Sequence, residues 1–372
     1  MHERCSRSEI ERPGCALRRR TAAQRLGTGF AAVVLLACLG CQQPFHVDST
    51  THVDASGDVQ TQLAPTPRLW PVEPSILPHR GSDPCACSIA VVDVDGLLLN
   101  SDATGLGSWG ENPVSLFRER LDAIEANGRV RAVVLRINTP GGSVTATDIM
   151  WRDLLAFKQR TGMPVVACLM DVAAGGGYYL ATAADTVIAH PTTVTGGIGC
   201  ILNVYNLQDM MAQFNIIGAP IKSGKNIDLG SPIKSLDDDK RKLLQTMADE
   251  FQQRFRTIVT KYRPAVDANL ETTFDGRVFT AEQARKLHLI DDIGYLDDAT
   301  KLACSQAGID RANLLFFHRE EDPALSQYAI TPNVALQKGL LPLSVPGLDR
   351  SKLPSFLYLW QMEPTAESAL GR

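Results

Sequence analysis

The sequence predicts an α/β domain built on a parallel sheet with helices packed on its faces. Short unbroken apolar runs, such as Ala132-Val-Val-Leu-Arg-Ile137 and Pro164-Val-Val-Ala-Cys-Leu-Met170, read as strands buried on both sides. Helical patterns alternate with these runs at a spacing that suits right-handed crossovers. Glycine clusters sit where strands should give way to helices or bends, at Gly141-Gly142, Gly175-Gly176-Gly177 and Gly196-Gly197. Glycine there permits tight turns and lets another backbone approach the amides closely.

The first folded segment is Ser88-Ile-Ala-Val-Val-Asp-Val-Asp95, a buried strand. Asn112 is placed to cap a helix with Pro113 at its first position, and Val114, Phe117, Leu121 and Ile124 share one face. Asn127-Gly128 ends that helix, and the strand Ala132–Ile137 follows. Asn138-Thr-Pro-Gly-Gly-Ser-Val-Thr145 turns the chain into a second helix that runs to about Gln159 and stops at Thr161-Gly162. Pro164–Met170 then delivers the chain to the triple glycine and a helix start, where free N–H groups make a ready oxyanion or anion site. Thr186-Val-Ile-Ala-His190 reads as a short strand, and Ile216–Lys222 as a further one. A long helix spans about Leu236 to Lys261, with Asp237, Asp238 and Asp239 at the positive end of its dipole. Asp275-Gly-Arg-Val-Phe-Thr-Ala-Glu-Gln-Ala284 gives a turn, a short strand and a capped helix. Beyond that, Leu353-Pro-Ser-Phe-Leu-Tyr-Leu-Trp360 is too aromatic to lie in water, so it is expected to pack on this subunit or a neighbouring one, with the membrane surface as the lesser alternative.

Composition narrows the function. Of 372 residues, 44% are apolar and 21% charged, as in an ordinary globular protein. The net charge of −4 is spread out and no long basic run lies outside the N-terminus, which excludes nucleic acid as the expected partner. The nine cysteines show no zinc spacing, and no Walker-type phosphate loop is present, so neither metal nor cofactor is expected.

The N-terminus reads as a targeting segment. Arg18, Arg19, Arg20 and Arg25 precede the apolar run Phe30–Gly40, which is short for a membrane span and suits a signal peptide. Leu35-Leu-Ala-Cys38 is similar to a bacterial lipobox, which makes Cys38 the expected lipidation site, with Cys41 as the alternative and simple cleavage or an uncleaved anchor also open. Residues 1–41 are thus leader or anchor, 42–85 a Pro-, Thr- and Gln-rich flexible linker, 86–300 the main domain and 301–372 a C-terminal extension. The body is expected outside the cytoplasm, on the periplasmic side, held to the cell membrane through its N-terminus.

Over residues 88 to 300 several motifs, in order, resemble the signal peptide peptidase A family. Arg136-Ile-Asn-Thr-Pro-Gly-Gly-Ser-Val-Thr145 is similar to its Asn-Ser-Pro-Gly-Gly segment, and Ala173–Tyr179 to its nucleophile turn Ala-Ala-Ser-Gly-Gly-Tyr. Thr195-Gly-Gly-Ile-Gly199 matches Thr-Gly-Ser-Ile-Gly, Lys222-Ser-Gly and Ser231-Pro232 frame the lysine segment, and Asp275-Gly-Arg-Val-Phe with Leu289-Ile-Asp resembles the closing block. The resemblance implies a Clp/crotonase-like fold, a curled sheet spiral flanked by helices, usually assembled into rings. It also implies a serine peptidase with a Ser–Lys dyad, in which lysine takes and returns the proton and two amides stabilise the oxyanion.

In this chain the serine position is Gly175 and the lysine position is Ile227. Neither residue has a proton to exchange. Lys225, two residues earlier, and Ser143 or Thr139 beside the Pro-Gly-Gly turn are the candidate substitutes. Ser143 also reads as the N-cap of the second helix, and Lys225 as a surface charge. Gly141, Gly142 and Gly176 keep the frame of an oxyanion or peptide-binding site. The expected function is an inactive, membrane-tethered homologue that binds peptides or unfolded segments, in a homo-oligomeric ring or mixed with an active paralogue. The alternative is an endopeptidase of signal or membrane-associated peptides acting through a displaced nucleophile. A crotonase-type coenzyme A reaction is a third reading, and no basic pocket signature supports it.

Overall fold

The computed structural model describes residues 48–53, 59–64, 72–76, 87–101, 103–105, 108–319, 326–328 and 356–360. The leader, including Cys38 and Cys41, lies outside them. The chain divides into two compact units, Met1–Thr66 and Pro67–Arg372. In the first, β1 (Asp48–Val53) and β2 (Val59–Ala64) form an antiparallel hairpin, with Asp48 opposite Ala64. The 42–85 stretch, read as a linker, therefore holds regular structure. Its Thr and Val residues are strand formers, a signal that the high Thr, Gln and Pro content obscured.

The second unit contains the main sheet. Its central strands are β4 (Ser88–Leu98), β7 (Val130–Ser143) and β8 (Val165–Ala174), all parallel, with β13 (Asn313–His318) parallel on the outer side of β4. An antiparallel strand, β3 (Glu73–Ile76), closes that edge, where Pro74 costs no interior ladder bond. A small hairpin of β5 (Ala103–Gly105) and β6 (Ser108–Glu111) stands apart from this sheet. Beyond β8 the sheet forks. Residues Val166–Leu169 pair with β9 (Thr186–Ala189), whereas Val172–Ala174 pair with β10 (Val194–Gly196). Each wing gains one more strand, β12 (Asp292–Ile293) on β9 and β11 (Val278–Thr280) on β10. One strand feeding two wings is the curl expected of this α/β fold.

Strand alternation divides the core into two layers. Ala90, Val92, Val94, Val133, Leu135, Val165 and Ala167 face one apolar cluster. It includes residues of α1 (Pro113–Ala126), α2 (Val144–Thr161), α3 (Gly176–Ala181), α5 (Asp238–Tyr262) and α6 (Ala281–Lys286). Ile89, Val91, Val134, Val166 and Cys168 face the other, covered by Leu296, Ala299 and Ala303 of α7 (Leu296–Gln306). The helix ends follow local chemistry. Asn112 accepts from the amides of Val114 and Ser115, Asp237 accepts from Lys240, and Thr280 forms a capping box with Gln283.

Two expectations change. Residues 216–222 form no strand, and Ile216, Ile217 and Ile221 are exposed beside the short helix α4 (Gln208–Gln213). An apolar run needs a neighbouring strand to become a ladder, and among the described residues no strand pairs with this one. The domain does not end at 300, because β13 is a full member of the sheet. The aromatic tail is also part of it: β14 (Leu357–Leu359) pairs antiparallel with Gly141–Ser143 of β7.

Candidate functional site: a glycine cradle occupied by a strand

The site forms where β7 and β8 end side by side. Gly175 joins β8 to α3 with φ +53 and ψ −119, a conformation costly for any residue with a Cβ. Its amide donates to the Gly196 carbonyl at 2.9 Å, and its carbonyl accepts from Tyr179 at 2.9 Å. Across from it, Gly141 has φ +111, and its amide donates to Thr139 Oγ1 at 3.0 Å. A Cβ on Gly141 would lie 2.7 Å from the Gly176 amide nitrogen, so the two turns touch through bare backbone. Gly141, Gly142, Gly175 and Gly176 are thus brought together, as the sequence motifs predict.

Two of the proposed substitutes lie at the cradle with their hydroxyls already bonded to backbone, and the third stands away from it. Ser143 caps α2, its Oγ accepting from the Ala146 amide at 3.3 Å. Thr139 is fully buried, with its hydroxyl donating to the Gly96 carbonyl. Lys225 is 77% exposed and sits 3.9 Å from Asp239. Ile227 is 69% exposed, between Lys225 and Asp228, whose carboxylate is held below its ordinary range by Lys222 at 2.7 Å.

What the sequence reading did not foresee is the occupant. The 356–360 segment runs through the cradle as a strand between two edges. On one side lies β7; on the other, Leu357 and Ile201 exchange both backbone hydrogen bonds at 2.9 Å. The Trp360 amide donates to the Pro140 carbonyl at 2.9 Å, and the Phe356 carbonyl accepts from Val144 at 3.3 Å. A Cβ built on Gly175 would stand 2.7 Å from the Tyr358 carbonyl carbon and 3.1 Å from the Leu359 nitrogen, closer still to the Tyr358 oxygen. The Tyr358–Leu359 peptide bond therefore faces position 175 directly.

Tyr358 itself is fully buried. Its ring stacks on Tyr179 at 5.2 Å, lies 4.8 Å from Phe255, and its hydroxyl donates to the Phe251 carbonyl of α5 at 2.7 Å. Tyr179 in turn donates to Asp148 at 2.6 Å, and Arg254 holds the same carboxylate oxygen at 2.7 Å. Burial pushes the Tyr358 and Tyr179 phenols well above their ordinary value, Tyr179 further through the Asp148 carboxylate. Cys200, beside Ile201, is also pushed up by burial, to about 11, so it carries a neutral thiol at neutral pH. The only sequence signal for this pocket was the unsheltered aromatic run at 353–360.

Among the described residues no group of His, Cys, Asp and Glu is placed to hold a metal ion, and no helix is long and apolar enough to cross a membrane.

The site is thus an α/β sheet whose glycine turns face a peptide bond at the start of a helix. Comparison with known proteins places it. Residues 157–310 match peptidase family S49. Protease 4 of Salmonella typhi is 27% identical over 259 residues, covering 69% of this chain and 40% of that protein. The chloroplastic serine protease SPPA of Arabidopsis thaliana is 31% identical over 192 residues, 51% of this chain and 28% of its own. The putative signal peptide peptidase SppA of Enterococcus faecium is 28% identical over 211 residues, 57% of this chain and 61% of its own. These matches support a member of the signal peptide peptidase A family. It spans 28% to 61% of the length of these relatives. Among solved structures, a membrane-bound stomatin-specific protease mutant in complex with a substrate peptide aligns with TM-score 0.37 and 15% identity, over 58% of this chain and 80% of that one.

Proposed function

We propose that this protein is a non-hydrolysing member of its family that binds extended peptide segments. The observation that carries the proposal is position 175. The backbone there keeps a strained turn suited to presenting a nucleophile, yet the residue is glycine. Removing a nucleophile or its base from such a pair typically lowers the rate by several orders of magnitude. Here both aligned positions, Gly175 and Ile227, lack a reactive group, the Ser143 and Thr139 hydroxyls are held in hydrogen bonds to backbone, and Lys225 is exposed beside Asp239. Peptide binding survives such a loss because it rests on strand edges and amides, which need no side chain.

Tethering and assembly belong to the same proposal. The basic and apolar N-terminus with Cys38, or Cys41, supports an exported protein lipidated at the membrane. Incorporation of labelled palmitate that disappears in Cys38→Ala would support that site, and persistence there with loss in Cys41→Ala would move it. Exposed Phe214, Ile216, Ile217, Ile221 and Ile227 supply an apolar surface for a ring of copies or a mixed ring. Light scattering of the purified chain reads this directly, and a monomer would remove it.

The activity test compares casein hydrolysis by the wild-type chain and by a Gly175→Ser, Ile227→Lys double variant. Silence from the wild type with cleavage by the variant is the expected result. Wild-type cleavage that the double substitution does not raise would overturn the proposal.

A further inference from the structure

We infer that Phe356–Trp360 is a peptide ligand held in cis, and that the site selects extended segments anchored by a tyrosine. The inference deepens the peptide-binding reading above and rests on it for the identity of the groove.

The segment makes the contacts of an added strand. It bonds by backbone to β7 on one edge and to Ile201 on the other, so recognition along its length is independent of side chains. Specificity then comes chiefly from Tyr358, the fully buried residue of the segment, with Phe356 packing 5.0 Å from the Phe251 ring beside it. The Tyr358 pocket matches both halves of that side chain: Tyr179 stacks on the ring, Phe255 packs against it at a tilt, and the Phe251 carbonyl accepts a hydrogen bond from the hydroxyl. A phenylalanine leaves that carbonyl without its buried donor, and a leucine leaves part of the pocket unfilled.

Resident strand and glycine are mutually dependent. A side chain at 141 or 175 would collide with the Tyr358 carbonyl group, which is backbone and cannot rotate away. The bare turn therefore does two things at once: it removes the nucleophile and makes room for the strand's own peptide bond. A foreign peptide enters only when the tail leaves, which makes the tail an internal competitor. Release is local, because the strand is three residues long.

The test uses the full-length chain and a fluorescein-labelled peptide of residues 354–362, Pro-Ser-Phe-Leu-Tyr-Leu-Trp-Gln-Met. Anisotropy titrations compare wild type with Tyr358→Ala, whose tail has lost its anchor. We expect the variant to bind the peptide at least tenfold more tightly than wild type. The same peptide with alanine for its tyrosine should lose binding to the variant, and one with phenylalanine should lose about two- to tenfold. Equal peptide affinity in the two proteins, or no preference for tyrosine, overturns the inference.

Because Tyr358 also belongs to the core, hydrogen exchange of the unaltered protein gives a second arm. Amides of Leu357 and Trp360 should exchange at least 100-fold faster than those of Val134 and Ala167 in the central strands. Equal protection, or global unfolding of Tyr358→Ala, would make β14 a fixed core strand and end the inference. Casein cleavage by wild type would instead overturn only the non-hydrolysing reading and leave these binding results standing.

Discussion

Gly175→Ala isolates the cradle in one methyl group. The substitution places a Cβ 2.7 Å from the Tyr358 carbonyl carbon, closer than real Cβ atoms come, and 3.1 Å from the Leu359 nitrogen, tighter than most. It also forces a non-glycine residue to φ +53 and ψ −119, which costs about 1–3 kcal/mol. Something has to move, and the structure says which side. Gly175 is held by bonds to Gly196 and Tyr179 within the sheet and helix, whereas β14 is a three-residue strand at the sheet's margin. The strand should yield, giving up the burial of Tyr358, for which truncation of a buried aromatic, about 3–5 kcal/mol, is the guide. Weakening its docking by about 3 kcal/mol speeds exchange of the Leu357 and Trp360 amides roughly 100-fold, while the central strands keep their protection. The backbone strain alone lowers Tm by roughly 2–12 °C, at about 2–4 °C per kcal/mol for domains somewhat smaller than this one. Exchange by mass spectrometry on the peptide spanning 356–360 is the assay. Unchanged protection there, with Tm within a degree of wild type, would show that the Tyr358 carbonyl does not lie against Gly175.

Three further outcomes follow from charges and thiols. Arg136 and Asp93 form an ion pair at 2.6 Å with both side chains almost wholly buried, so Arg136→Met should cost about 3–5 kcal/mol in urea unfolding and an Asp93→Leu, Arg136→Met pair should recover much of it; a loss under 1 kcal/mol for the single change would contradict this. Burial raises the pKa of Asp95 against the opposing hydrogen bond from Asn138, so the fold favours the protonated acid. The stability lost to this group grows as pH rises above its ordinary 3.8, so Asp95→Asn should raise Tm at pH 7 and leave it unchanged at pH 3; a lower Tm at pH 7 refutes the sign. Cys200, near 11 in the fold against an ordinary 9.0, should resist iodoacetamide at pH 8 and react faster in Tyr358→Ala. The unfolded thiol ionises first, so its contribution to stability declines as pH rises from 9 to about 11, and equal labelling of wild type and variant would separate Cys200 from the strand.

The sheet was legible because its residues announce themselves locally. Continuous apolar runs mark β4, β7 and β8, and Asn112, Ser143 and Thr280 each carry a capping side chain whose role needs no tertiary information. The glycine turns were legible for the same reason, and they meet in space as their motifs imply. The occupant was not, because β14 is a non-local partner: Tyr358 pairs opposite Gly142, more than two hundred residues earlier in the chain. No period or cap encodes such a pairing; only the absence of any local shelter for Phe356, Tyr358 and Trp360 points to it. The misread Ile216–Lys222 stretch shows the converse. Its isoleucines are as apolar as a strand's, yet Ile217 and Ile221 face solvent, and among the described residues no strand pairs with the segment. The two cases differ in the available edge, not in the apolar pattern. Glycine at 141 and 175 clears that edge beside β7, so the residues that would disable a nucleophile are the ones that let a strand lie down in its place.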